Sequence, residues 1–330
     1  MRKTIVRWVS IVVVGFGAIG VASATDLGLI TGSEGGAYHQ LGLDLKTLGK
    51  AGGINLSVHP SNGAVENIYA VHQRPGIHLG IVQSDVLAFV AGLESNAALA
   101  RIAKATRMVF PLHDEEIHVV GRGEIADFDQ LAGKRVAVGR EGSGTYLTAS
   151  MLFKLAEVVP SEMVSIDIGE ALAQLKAGRI DALVYVAGSP VRLLKENVAA
   201  ADGLALIPVS KKSILESYAA AEIPANVYEW QATAVSTVAV KAVLVSFDFR
   251  GPECDGVGRL ARQIATNLER LRKHGHPKWK LVDLDVPLKG WEQYDCVRKY
   301  LGKQAEESSP SASTADRNPV AEAIKEALGD

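Results

Sequence analysis

Asp26-Leu27-Gly28-Leu29-Ile30-Thr31-Gly32-Ser33-Glu34-Gly35-Gly36-Ala37-Tyr38 holds the pattern that decides the fold class. An apolar run short enough to be one strand meets a glycine-rich turn. The turn opens a segment whose Leu41, Leu45 and Leu48 recur at helical spacing. Gly52-Gly53 ends that helix, because glycine accepts the cap conformations that other residues resist. A strand feeding a helix through a glycine turn is the building block of a parallel sheet covered by helices.

Outward from this stretch the block repeats. The spacing predicts strands over 54–58 and 77–82 with a helix over 64–73 between them, and the third strand delivers Gln83-Ser84-Asp85 to a new helix start. After Pro111 a strand over 117–121 is expected to cross into a second lobe. There a strand over 135–139, helices over 143–155 and 171–176, and a strand over 180–186 should follow, with Gly178 stopping the second helix. A connection over 211–231 leads to a β-rich run over 237–247, long enough to cross back. Val257, Leu260, Ile264, Leu268 and Leu271 predict one amphipathic helix over 257–271. The expected class is α/β, with two lobes that are each a mostly parallel sheet flanked by helices. Residues 25–118 begin lobe I, 119–210 form lobe II, and 211–302 return to lobe I with the C-terminal helices.

Both ends read differently from this body. Arg2, Lys3 and Arg7 precede an apolar run from Trp8 to Val21, and Ala22-Ser23-Ala24 has the small-residue pattern of a secretory cleavage site. Residues 1–24 are therefore expected to be a signal peptide cut after Ala24, since the apolar run of about 14 residues is short for a bilayer span. Its loss would take the formal net charge from −2 to about −5. No basic face is present to neutralise phosphates, which argues against a nucleic-acid partner. Residues 303–330 turn to Gln, Glu, Ser, Pro, Ala and Thr and are expected to be disordered, with one short helix through Val320, Ile324 and Leu328 as an option. In an oxidising compartment Cys254 and Cys296 are expected to pair, two free buried thiols being the alternative.

Three motifs invite readings that their context rejects. Gly15-Phe16-Gly17-Ala18-Ile19-Gly20 matches the dinucleotide fingerprint but lies in the segment expected to be cut away. His113-Asp114-Glu115-Glu116-Ile117-His118 spaces its histidines wrongly for H-E-x-x-H and reads as a loop-to-strand junction, so neither metal nor cofactor is expected. Ser143 sits between glycines, yet G-x-S-x-G is not matched and no His-Asp pair is well placed, so a serine hydrolase is the minor alternative. Four polar or glycine-rich turns instead follow strands and open helices, at 32–38, 61–67, 83–85 and 142–145. Helix starts offer unpaired N–H groups, and ligands of open parallel sheets bind beyond the strand ends where such turns lie.

Gly32 to Tyr38, Gly63-Ala64-Val65-Glu66-Asn67, Leu79 to Asp85, Leu131 to Gly139 leading to Gly142-Ser143-Gly144-Thr145, and Leu175 to Ala182 ending at Gly188-Ser189-Pro190 together resemble the TAXI-type solute receptors of TRAP transporters. The family pattern departs at Tyr38-His39, where two tyrosines are usual, and at Ala64, where serine is. The resemblance implies a two-lobed periplasmic binding protein of type II, a monomer rather than an enzyme, that captures glutamate, 2-oxoglutarate or a similar carboxylate for a membrane permease. It implies that Gly36, Tyr38, Ser61, Asn62, Asn67, Gln83, Ser84, Asp85, Ser143, Gly144, Thr145 and Gly188 line the cleft. The ligand's acidic group is then expected against Ser143, Gly144 and Thr145, with Tyr38, Asn62 and Gln83 at its other end and Arg140 as the nearest cation. A receptor serving an ABC importer or a sensor kinase is the alternative within the same fold.

Overall fold

The computed structural model describes residues 25–92 and 97–302. The readings placed on 1–24 and 303–330, namely the leader, the fingerprint within it, the tail and its optional helix, lie outside them. The chain begins with β1 (Thr25–Ile30), α1 (Ala37–Ala51), β2 (Ile54–His59), α2 (Ala64–Gln73), β3 (Leu79–Gln83), α3 (Ser84–Gly92) and α4 (Ala97–Ala105). The long strand β4 (Thr106–Arg122) then leads to β5 (Arg135–Ala137), α5 (Gly144–Leu155), β6 (Glu162–Val164), α6 (Ile168–Lys176), β7 (Ala182–Val186), α7 (Arg192–Asn197) and β8 (Leu204–Leu206). After α8 (Lys212–Leu215) and β9 (Ala219–Ile223), the second long strand β10 (Val235–Phe247) precedes α9 (Pro252–Thr266), α10 (Leu268–His274) and α11 (Asp295–Leu301).

Two sheets share their long strands. One runs β2-β1-β3-β10-β4, and the other continues from β4 through β7 and β5 to β6, with β8 also on β4 and β9 on β10. Within each lobe the short strands are parallel, β1 with β2 and β3, and β5 with β6 and β7. The crossing strands run antiparallel to each other and to their neighbours. β4 starts well before the expected crossing at 117–121, because Pro111 does not interrupt it. The register with β10 shifts between Lys241 and Val243 beside Pro111, so the missing N–H falls at a bulge, where proline is tolerated.

Each sheet is covered on both faces. Leu41, Leu45 and Leu48 of α1 meet Val257, Leu260 and Ile264 of α9 over one face of the first sheet, while Ile68, Val86 and Leu87 cover the other. In the second lobe Leu152 and Phe153 pack with Phe128 and Leu131 on one side, and Leu172, Leu175 and Leu194 with Leu183 on the other. The expected helix over 257–271 is two helices, broken at Asn267, whose φ of −115° leaves the helical region. The connection over 211–231 is not featureless, since it holds α8 and β9. Cys254 of α9 is disulfide-bonded to Cys296 of α11 with Cα atoms 5.6 Å apart, tying the last described helix to lobe I.

Candidate functional site

A cavity of about 350 Å³ lies between the lobes. Four helices begin on it: α1 through Gly36, Ala37 and Tyr38, α2 through Gly63 and Ala64, α5 through Ser143, Gly144 and Thr145, and α6 through Asp167 and Ile168. They converge because parallel strands all release their chains at the same sheet edge, and the two lobes turn those edges toward each other. Val184, Tyr185 and Val186 of β7 complete the wall.

The helix starts fall into two kinds. α1 and α2 begin after Gly36 and Gly63 with no side-chain cap, which leaves N–H groups at the start of α1 and the first two of α2 for an occupant of the cavity, while Glu66 N of α2 already donates to Gly142 O at 3.1 Å. α5 and α6 are capped. Ser143 Oγ accepts from Tyr146 N at 3.1 Å, and Thr145 Oγ1 accepts from Val186 N at 3.3 Å. A hydroxyl that accepts keeps its own proton to give, so both can still donate to a ligand. Asp167 Oδ1 accepts from Gly169 N and Glu170 N, and Oδ2 accepts from Arg140 Nη2 at 2.7 Å. The Glu170 N–H first, and Arg140 after it, hold the Asp167 carboxyl below its usual range.

The floor is acidic. Glu115 of β4 is 3% exposed and lines the cavity, with its Oε2 accepting from Tyr38 Oη at 2.7 Å and from Gln83 Nε2 at 3.1 Å. Burial pushes its pKa up to about 7 against the hydrogen bonds from Tyr38 and Gln83. His113 Nε2 stands 3.9 Å from Glu115 Oε1, but burial and the charge of Lys278 lower the imidazole to about 3. A neutral ring at that distance is neither an ion pair nor a hydrogen bond. Burial also lifts the Tyr185 phenol to about 12.

Of the residues expected at the cleft, Gly36, Tyr38, Ser61, Asn62, Gln83, Ser143, Gly144 and Thr145 line this cavity. Four do not. Asn67 is fully buried beneath it, donating to Thr31 O and Ile81 O and accepting from Ser61 Oγ at 2.6 Å, so it holds β1 and β3 together. Ser84 Oγ accepts from Lys241 N at 3.0 Å. Asp85 Oδ2 accepts from Thr148 Oγ1 of lobe II at 2.6 Å and from Tyr218 Oη at 3.2 Å, a buried contact between lobes. Gly188 lies against Lys278, where a Cβ would come within 2.7 Å of Nζ. Asn62 reaches the cavity wall with its amide already on Glu66 Oε2 at 3.1 Å.

The reading of 113–118 as a loop-to-strand junction is corrected. These residues lie inside β4, with buried His113 and Glu115 alternating with the more exposed Asp114 and Glu116. A carboxylate on the buried face of a strand was the available signal for Glu115. Tyr185 and Asp167 carried no comparable signal. Ser143 Oγ has its hydrogen bond from Tyr146 N, and no histidine bonds to it among the described residues. Nor does any group of three or more His, Cys, Asp or Glu among them stand ready to hold a metal, and no helix among them is long and apolar enough to cross a membrane.

The family model for the NMT1-like family matches residues 29–286, and the chain belongs to that family. No curated protein matches it in sequence. Among solved structures it resembles the periplasmic binding protein BugD, with a TM-score of 0.53 and 12% identity over 91% of this chain and 96% of that one. MatC from Rhodopseudomonas palustris with bound malate gives a TM-score of 0.51 and 16% identity over 92% and 96%. Tv2483 bound to L-arginine gives 0.50 and 14% over 79% and 94%. At these identities the likeness establishes the α/β binding-protein fold.

Proposed function

We propose that this NMT1-like protein is a periplasmic solute receptor, exported by the segment 1–24, that closes on a small carboxylate and presents it to a TRAP-type permease. One observation carries the reading: a ligand-sized cavity, partly open, between two separately cored lobes, on which four helix N-termini begin. Malate and L-arginine, bound by two of the similar structures, are both small carboxylates.

The carboxylate is held at the α5 start by the Ser143 and Thr145 hydroxyls, with the uncapped starts of α1 and α2 facing it from the other lobe. Charge is met by N–H dipoles and hydroxyls, because Arg140 at the rim is already paired to Asp167. Closure removes competing water, which strengthens each of these hydrogen bonds. Calorimetry against small carboxylates tests the placement. Replacing Ser143→Ala together with Thr145→Val is expected to weaken the best ligand by about tenfold or more. An unchanged affinity would rule it out. A neighbouring gene for a fused multi-span permease is the expected mark of the TRAP partner.

A further inference from the structure

Glu115 lines the cavity, yet the capture of a carboxylate leaves it without a purpose. Its Oε2 has two donors, Tyr38 Oη and Gln83 Nε2, while the described residues give Oε1 no hydrogen bond. The nearest ring nitrogen, His113 Nε2, is too far at 3.9 Å. The cavity lining supplies no free cation either. Arg140 is largely exposed at the rim and bonded to Asp167, and buried Lys278 is outside the lining with its Nζ on Ser189 O.

A second carboxylate placed on this floor would meet an acid whose nearby cation, Lys278, lies outside the lining and is already engaged by Ser189 O, a costly arrangement in a partly shielded site. An ammonium would supply N–H donors to the open carboxylate oxygen and the opposite charge. The donor wall at α5 and the acceptor floor on β4 belong to one cavity, which offers both to a single small molecule. On the basis of the receptor reading above, we infer that Glu115 is the specificity-determining residue and that the ligand is an amino-acid-like zwitterion, its ammonium on Glu115 and its carboxylate at the helix starts. Dicarboxylates and keto acids without an amine are thereby disfavoured. The raised pKa of Glu115 agrees, being the mark of a carboxylate buried short of compensating charge.

The test is calorimetry on the full chain at pH 8 with matched pairs that differ at the amine alone, L-glutamate with 2-oxoglutarate and L-aspartate with L-malate, within a panel of the common amino acids. At least one amino acid should bind, and its amine-free counterpart should bind about 100-fold more weakly. Glu115→Gln, with an unchanged circular dichroism spectrum, should close most of that gap, whereas Ser143→Ala should weaken both members of a pair alike. A keto or hydroxy acid that binds as tightly as its amino counterpart overturns the inference and leaves the carboxylate receptor standing. Equal affinities in Glu115→Gln and the parent protein also overturn it. If no member of the panel binds, the receptor reading itself falls, and the inference with it.

Discussion

At the start of α3, Gln83-Ser84-Asp85 follows a buried strand, and at the start of α5, Gly142-Ser143-Gly144-Thr145 follows another, yet the two turns end up on different sides of the closure. Ser143 and Thr145 accept bonds from their own lobe and keep hydroxyl protons for the cavity. Ser84 and Asp85 are consumed by protein, Ser84 by β10 and Asp85 by Thr148 and Tyr218. Between them sits Gln83, which lines the cavity and reaches Glu115. A polar turn at a helix start therefore opens either on the cavity or into the joint between lobes, and the face on which the opposing lobe arrives decides which.

Replacing Asp85→Ala should break this contrast most strongly. It strands two buried hydroxyls and empties the joint, at a cost of about 3 kcal/mol in chemical denaturation. The matching change Ser143→Ala removes one helix cap and should cost about 1 kcal/mol. Equal losses at the two positions would erase the distinction between joint and site.

Gly144→Ala tests how tightly the two turns approach. A Cβ there would stand 1.5 Å from Gln83 Oε1 and 3.1 Å from Ala64 Cβ across the cleft. Gln83 is tethered to Glu115 and yields only by giving up that bond. Ligand affinity should fall by about 10- to 100-fold, as expected for overpacking of a closed interface, while the melting temperature of the empty protein changes little. A large fall in melting temperature without a loss of affinity would place Gly144 in ordinary packing.

The smallest expected effect is on pH dependence and concerns the floor. Glu115 is faced by Tyr38, Asp85, Tyr185 and Lys278, with neutral His113 beside it. Its folded pKa, about 7 against the ordinary 4.5 of a glutamate, means that its contribution to the stability of the empty protein is full below about 4.5 and is lost as pH rises through about 7. An ammonium ligand needs the ionised form, so affinity should drop by about tenfold from pH 8 to pH 6. Glu115→Gln should flatten that profile. His113 and His118, lowered to about 3 and about 4 by burial, act with the opposite sign: their contribution is present above about 6.5 and is lost as pH falls through their folded values. Melting curves of the ligand-free protein separate the two, since the Glu115→Gln variant should lose more stability on acidification from pH 7 to pH 5 than the parent.

Much of the fold was legible because its signals are local. The Leu41, Leu45 and Leu48 stripe, the helix over 64–73, and the β-branched run that crosses back as β10 are written in the periodicity of adjacent residues. The break at Asn267 and the continuous strand through Pro111 were not legible. Apolar spacing carries on across the first, and only the partner's bulge permits the second. The site divided along the same line. Turns at helix starts announced Gly36, Ser143, Gly144 and Thr145, because caps and glycines are short-range chemistry.

By itself, then, the sequence determined the class of fold, the two crossings and the kind of turn that opens on the cavity. Only the tertiary structure decided that Asn67 and Asp85 serve the protein while Glu115, Tyr185 and Asp167 face the cavity. The reason is physical. A strand or a cap is set by interactions over a few residues, whereas the environment of a side chain is set by whichever distant element packs over it. For Asp85 that element belongs to the opposite lobe, and for Asn67 and Glu115 it is a neighbouring strand or helix of their own.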